Sequence, residues 1–237
     1  MKFIIIILLS FSSLCYGQKS ILNEAIHTPY HNLLQKYVTS TGLVNYSGLK
    51  KDEKTLDRYL NELSKNTPDN LTTRKAALAY WINAYNAFTL KLILNNYPLN
   101  SITDIHNGKP WDVKWITLGN KKYSLNSIEN DIIRPVYKDG RIHFVLNCAA
   151  ISCPPLLNQA FTSNNLEEQM DARTRDFINS GANDLASAKI KVSKVFDWYK
   201  KDFGDVTTFI NKYSRVKVNS NALISYKDYN WNLNKGK

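Results

Sequence analysis

The chain has 237 residues, of which 43% are hydrophobic and 12% aromatic, and its 31 Lys and Arg against 20 Asp and Glu give a formal net charge of +11. That apolar share can bury a core and excludes a disordered or low-complexity chain. The basic excess suits an anionic partner, yet no basic stripe alternates with exposed aromatics, which excludes a nucleic-acid reader, and net charge serves solubility before recognition.

Met1-Lys2-Phe3, the apolar run Ile4–Leu9 and the small-residue stretch Ser10–Gly17 have the pattern of a secretory signal peptide. The apolar run is shorter than the about 20 residues a membrane-spanning helix needs. Cleavage after Gly17 is expected, leaving residues 18–237 as one exported domain, periplasmic or extracellular, with no transmembrane segment. Leu14 stands before Cys15 where a lipid-attachment motif wants a small residue, so a lipoprotein is not expected. Anionic cell-envelope polymer or a peptide substrate are the expected partners. No motif asks for a cofactor.

In chain order, Tyr30 to Val38 is amphipathic through Leu33, Leu34, Tyr37 and Val38, with Gly42 ending it. Asp52 to Lys65 repeats the pattern through Leu56, Tyr59, Leu60 and Leu63. Thr73 to Asn95 is apolar almost all round, which predicts a helix in the middle of the fold. The period then changes. Val113–Leu118 and Lys121–Leu125 flank Gly119-Asn120 as a β-hairpin. Asn126 with Glu129 reads as a cap on a short helix that Pro135 stops. Ile142–Leu146 reads as a buried strand. Leu166–Ile178 is an amphipathic helix with Gly181 as its C-cap. A strand near Lys189–Val192, helices around Val195–Phe203 and Val206–Tyr213, and a strand over Leu223–Tyr229 complete the chain, with Trp231 as a C-terminal anchor. The class is α+β: a helical N-terminal half whose central buried helix packs on a small, mainly antiparallel sheet.

The chemistry concentrates in Arg141–Pro155, which holds Cys148, Cys153, His143, Asn147 and Ser152. A thiolate is a good nucleophile when a base or positive charge lowers its pKa. On a regular strand His143 and Cys148 face opposite ways while His143 and Asn147 share a face. A Cys148–His143 dyad therefore needs a bulge or turn, and His106, in the loop Asp104–Gly108, is an equal candidate base. Cys148 and Cys153 have three readings: a disulfide closing a short ring, favoured by an oxidising compartment; a reactive thiol; or inert buried thiols. His143, Cys148 and Cys153 lack a fourth ligand and the paired short spacings of zinc motifs, so no metal site is expected.

Asn83 and Asn86 lie three apart on one face of the central helix. Buried amides must be hydrogen-bonded, so they tie the helix to neighbouring backbone or else orient a substrate carbonyl. Glu129 is a cap or an acid/base carboxylate; Arg134 pairs with an acidic neighbour or binds an anion with its planar fork. Arg173 and Asp197 complete the candidate substrate-binding set, Asp197 as a helix-start residue or an orienter of histidine.

Trp81–Leu90, Ile128–Arg134, His143–Leu156 and Phe196–Phe203 together resemble domain-of-unknown-function family 547, over roughly Tyr80 to Phe203. The resemblance implies an uncharacterised exported bacterial protein and carries no activity with it. A buried central helix followed by a sheet bearing histidine is also similar to papain-like and transglutaminase-like folds. Those place the nucleophilic cysteine at the start of the central helix, and this helix has none. Two functional readings follow. One is a cysteine-centred hydrolase or acyl/amide transferase with Cys148 as nucleophile, His143 or His106 as base, Asn147 as orienter and Asn83 or Asn86 as oxyanion donor. The other is a non-catalytic envelope-binding module with a structural Cys148–Cys153 bridge.

Overall fold

The structure is a computed structural model that describes residues 23–236; the signal-peptide reading and Cys15 lie outside those residues. The first helix, α1 (Thr28–Tyr37), starts with Pro29 in its first turn and buries Tyr30, Leu33 and Leu34 on one side. It ends at Tyr37. Gly42 instead makes the following turn at φ +79°, and a Cβ there would lie 2.5 Å from the Pro155 Cβ. Only glycine lets this turn press against the loop that follows Cys153. Two more helices, α2 (Tyr46–Lys51) and α3 (Glu53–Lys65), lead to α4 (Arg74–Asn96).

Thr73 caps α4 by accepting the Ala76 N–H over 3.2 Å. Its apolar residues face inward on every side, as the absence of a polar stripe requires. Each fully buried Leu or Ile contributes roughly 1.5–3 kcal/mol of transfer free energy, so this helix dominates the core. The one charged residue in its middle, Lys91, is paired with Glu53 at 2.8 Å and Asp57 at 2.6 Å on α3.

The hairpin is as read, but shorter: β1 (Ile116–Leu118) pairs antiparallel with β2 (Lys121–Tyr123) about Gly119 at φ +57°. Beyond it the reading needs correction. Asn126 does not cap a helix. It lies within one, its side chain hydrogen-bonded to Asp112, and a π-helical segment (Ser127–Ile133) continues without a break into α5 (Arg134–Tyr137), with Pro135 in the first turn of α5.

Ile142–Leu146 is not a strand. Residues Gly140–Phe144 form a 3₁₀ turn opened by Asp139, which accepts the Arg141 N–H over 2.9 Å. A five-residue apolar run has no period that separates strand from buried helix, and here packing decides. Ile142 and Leu146 enter the large core around α4, while Phe144 enters a second cluster with Phe177, Phe196, Phe203 and Phe209. Gly140 lets the turn approach Phe203, whose ring a Cβ would meet at 2.8 Å. The segment is thus wedged between two apolar clusters.

The helix α6 (Leu166–Ile178) has the expected bounds, but Asn179 closes it, donating its side-chain amide to the carbonyls of Arg175 and Tyr213, and Gly181 lies beyond the cap. Next come β3 (Lys189–Val192), α7 (Val195–Trp198), α8 (Lys200–Phe203), α9 (Val206–Tyr213) and β4 (Leu223–Tyr226). The three helices form the crossover that lets β3 and β4 pair in parallel, Ile190 opposite Ile224. The class is α+β, its sheets a small antiparallel hairpin and a separate parallel pair. The C-terminal tail bridges Ser101, Ala150 and Val44 through Asn232, Leu233 and Lys235. Among the described residues no helix is long and apolar enough to cross a membrane.

Candidate active site

Where the two apolar clusters meet, a cavity of about 220 Å³ opens. Its walls are aromatic: Tyr85 from α4, Trp111 from the loop before the hairpin, Trp198 and Tyr199 from the α7–α8 junction, and Tyr229 and Trp231 from the tail. Trp231 packs on Tyr229 at 4.5 Å, Trp111 at 5.6 Å and Trp198 at 5.7 Å between ring centroids, so the tail anchors itself by completing the wall. Polar groups reach the cavity from two sides.

On one side lies His143. Loss of strand geometry releases it from the alternation rule, and its ring is buried in the cavity wall against Tyr199 at 3.7 Å and 22°. Its Nε2 is 2.7 Å from Asp202 Oδ2, and its Nδ1 is 3.7 Å from Glu129 Oε1. Asp202 also accepts from Arg134 Nε at 2.6 Å and Nη2 at 3.0 Å. The hydrogen bond from His143, followed by the Arg134 fork, holds the Asp202 carboxyl well below the usual carboxylate range. An ionised carboxylate only accepts, so His143 Nε2 is the donor. Glu129, buried within the π-helical segment, has the Tyr199 hydroxyl against it. It is not a cap. An extra residue per turn re-aims side chains, and π segments recur at functional sites for that reason.

On the other side lie the cysteines, which are free thiols and not the disulfide the compartment argument favoured. Cys148 is partly exposed in the cavity, and its Sγ is 3.1 Å from the Tyr229 hydroxyl. Cys153 is buried, its Sγ accepting the Cys148 N–H at 2.8 Å. Burial alone would raise the Cys148 thiol. Hydrogen bonds from Cys153, from Tyr229 and from the Ala150 N–H outweigh it and bring the thiol below its ordinary value. Burial, followed by the neighbouring Cys148, pushes Cys153 up.

The remaining candidates separate cleanly. His143 and Cys148 line one cavity, but no hydrogen bond joins them among the described residues, and both ring nitrogens of His143 face carboxylates. The expected dyad is absent because the thiol's polar partners are Cys153 and Tyr229. His106 sits in an exposed turn at φ +50°, outside the cavity wall. Asn83 donates to the Phe161 carbonyl at 2.8 Å and accepts its N–H at 2.9 Å. Asn86 does the same to Val145 O at 2.9 Å and Asn147 N at 2.8 Å. Both amides tie α4 to backbone and neither lines the cavity as an oxyanion donor. Asn147 orients the cysteine loop and not the imidazole: its Nδ2 donates to Pro154 O at 2.9 Å and its Oδ1 accepts the Ala149 N–H at 3.0 Å. Arg173 pairs with Asp176 at 2.5 Å and Asp197 with Lys194 at 3.1 Å, both away from the cavity.

Sequence reasoning did not single out Asp202, Tyr199 as a stacking partner, or Tyr229. Asp202 lies three residues past Tyr199 in the quoted Phe196–Phe203 segment, so its presence in that motif was the available signal. Nothing near Tyr229 marked it, since its contact spans 81 positions to Cys148. Among the described residues no group of three or more His, Cys, Asp or Glu is placed to hold a metal ion.

No curated protein and no solved structure matches the chain. A family match begins earlier and ends sooner than the resemblance over Tyr80–Phe203 suggested, covering the loop before α4 through the end of α6. It holds Glu129, His143, Cys148 and Cys153, while Tyr199, Asp202 and Tyr229 complete the site from outside it. Residues 68–178 match the family described as Protein of unknown function, DUF547.

Proposed function

We propose that the protein is a cysteine-centred enzyme that transfers or hydrolyses an acyl group, with Cys148 as the nucleophile and Glu129 as the cavity's acid/base carboxylate. The observation that supports this reading is the partly exposed thiol of lowered pKa at the wall of an aromatic cavity. The Cys148 thiolate attacks the carbonyl carbon of a thioester or activated amide, the bond to the leaving group breaks, and an acyl-enzyme remains on Sγ. Tyr229, already at hydrogen-bond distance from that sulfur, donates to the charge that develops beside it. Water or an acceptor amine then attacks the acyl-enzyme, giving its proton to Glu129, and the acyl–Sγ bond breaks to return the Cys148 thiolate. His143 does not touch the thiol. It is a positioning residue whose ring stands against Glu129, Nδ1 3.7 Å from Oε1, and is itself fixed by Asp202 through Nε2.

The apolar walls favour a flat or aromatic acyl group over a polymer backbone. The signal-peptide pattern of residues 1–17 supports an exported enzyme. Intact-mass measurement after incubation with a benzoyl thioester tests the chemistry. A single benzoyl adduct on Cys148, formed faster in the folded protein than in urea and missing from Cys148→Ser, is the expected result. Equal labelling of folded and unfolded protein would reject it.

A further inference from the structure

Acyl transfer needs one thiol, and this site holds two in contact. The Cys148 N–H donates to Cys153 Sγ at 2.8 Å, which seats the second sulfur against the first cysteine. The loop between them is fastened throughout. Asn147 clasps its two ends, taking the Ala149 N–H and donating to Pro154 O, and the Cys153 N–H closes on Ala150 O at 3.1 Å. Ala149 is held at φ +61°, a left-handed conformation that a residue with a Cβ adopts only when its surroundings impose it. The tail braces the outer side, with Ile151 and Ser152 donating to the carbonyls of Asn232 and Asn230 at 2.8 and 3.2 Å. The sulfurs are therefore placed together by the fold and do not meet by chance.

Their exposures differ in a useful way. Both line the aromatic cavity, but Cys148 is partly exposed in it while Cys153 is only 7% exposed. The more exposed thiol is the one a bound molecule meets first; the less exposed one is left to attack what has become attached to it. That is the arrangement required to open a disulfide and then resolve the mixed disulfide.

We propose that Cys148 and Cys153 are a thiol–disulfide exchange couple that accepts a small aromatic disulfide in the cavity. The Cys148 thiolate attacks one sulfur of the ligand; the ligand S–S bond breaks and the first organic thiolate departs. Cys153 then attacks Cys148 Sγ, the mixed disulfide breaks, and the second organic thiolate departs. The two protons of the cysteine pair end on the two released thiols, the ligand is reduced, and the pair is oxidised to a Cys148–Cys153 disulfide. A dithiol reductant returns the couple by the same steps in reverse. The lowered Cys148 thiol and the raised Cys153 thiol suit attacking and resolving roles respectively. This activity is distinct from the acyl reading, because it requires Cys153 as a second nucleophile, whereas acyl transfer uses it only as a hydrogen-bond donor, a role that serine can take.

The test uses the full chain carrying Cys15→Ser, with dithiodipyridine as the disulfide and intact mass plus thiopyridone absorbance as readouts. The expected result is release of both thiopyridones per protein, with no adduct and the mass loss of a disulfide. Adding Cys153→Ser should stop the reaction at a stable mixed disulfide on Cys148, its lifetime lengthened about 100-fold or more by loss of the intramolecular partner. Adding Cys148→Ser should leave Cys153 unreactive in the folded state. A persistent thiopyridyl adduct on the protein that keeps both cysteines would overturn the proposal without reference to any variant's folding. Benzoylation of Cys148 in the Cys153→Ser protein separates the two readings: its survival there leaves acyl transfer standing even if exchange fails.

Discussion

Two histidines are buried in this fold, and they are held in opposite ways. His27 is 1% exposed among Tyr30, Tyr59 and Tyr80, with Nδ1 2.8 Å from the Tyr59 hydroxyl and no partner for Nε2 among the described residues. His143 is 4% exposed, yet faces a carboxylate from each ring nitrogen and lies against a cavity. A buried imidazole in a neutral aromatic setting is a core residue that must stay uncharged. One bracketed by carboxylates is tied into a polar chain, Glu129 to His143 to Asp202 to Arg134, which terminates at the cavity. The residue type is the same, and the neighbours decide whether it supports the fold or the site.

The largest effect should come from breaking the chain at its middle. In Asp202→Ala both His143 Nε2 and the Arg134 fork lose their acceptor at once, the imidazole remaining buried. Removing one partner of a buried charged pair costs about 3–5 kcal/mol, and solvent access to Arg134 places this case near the lower end. A urea midpoint unchanged from wild type would show that the chain does not hold the α8 segment to the 3₁₀ turn. Breakdown of the benzoyl adduct on Cys148 should slow as well, because Glu129, which takes the proton in that step, stands against the imidazole that Asp202 holds.

His27 should give the fold a pH response of its own. Desolvation by burial lowers its pKa to about 4 from 6.5. The folded value is the lower one, so between those values the unfolded chain binds the extra proton and stability falls as pH drops. No loss is expected above pH 6.5, and by pH 4 the loss should approach about 3 kcal/mol. The Asp202 carboxyl, with a folded pKa depressed below 3.8, adds its own loss only at more acid pH. Thermal melting of wild type and His27→Leu across pH 7 to 4 separates the two windows. If the slope above pH 4 survives in His27→Leu, another group is its source.

Between these regions runs α4, whose amides face away from the cavity but hold its rim. Asn86→Ala strands the Val145 carbonyl and the Asn147 N–H, at a cost of about 2 kcal/mol for the buried groups left unpaired. It should also loosen the cysteine loop, visible as faster hydrogen exchange at Ala149 and Cys153 with α1 unchanged. Uniform exchange throughout would mean that Asn86 supports the fold generally and not the loop.

The same contrast explains what could be read from the chain. α4, α6 and β3 were legible because a long apolar or amphipathic run, or a short alternating one, has a period of its own, and Lys189–Val192 and Leu166–Ile178 fall where that period places them. Cys148 and His143 were legible as residues of reactive type in a crowded segment, and Glu129 outside it as a cap or an acid/base carboxylate. Their partnership was not. The strand reading of Ile142–Leu146 assigned His143 and Cys148 to opposite faces, whereas the wedge between two apolar clusters folds that segment into a 3₁₀ turn. Asp202 and Tyr229 approach across 59 and 81 positions, and such contacts depend on how α7, α8 and the tail pack, which no local period encodes. The Glu129 capping reading failed for a related reason: Asn126 and Glu129 have cap-like spacing, but a helix that runs through Asn126 leaves nothing there to cap.

The smallest effect tests the cysteine side alone. Tyr229→Phe removes the hydroxyl 3.1 Å from Cys148 Sγ but keeps the ring in the aromatic wall. Tyr229 is one of the groups that hold the Cys148 thiol below its ordinary value, alongside Cys153 and the Ala150 N–H. Without it, burial gains weight and the thiol moves upward, so less thiolate is present at neutral pH and alkylation slows. The measurement is the pH profile of iodoacetamide labelling at Cys148, in the Cys15→Ser background. Its midpoint should shift to higher pH in Tyr229→Phe while the plateau rate at alkaline pH stays the same, since the thiolate, once formed, is equally exposed. A lowered plateau with an unmoved midpoint would instead make Tyr229 a gate to the cavity, with activation of the thiol left to Cys153 and the loop backbone. Asp202→Ala provides the cross-check between the two sides: it should leave this midpoint unchanged, because neither His143 nor Asp202 touches the sulfur, and a shift there would join the two halves of the cavity into one ionising network.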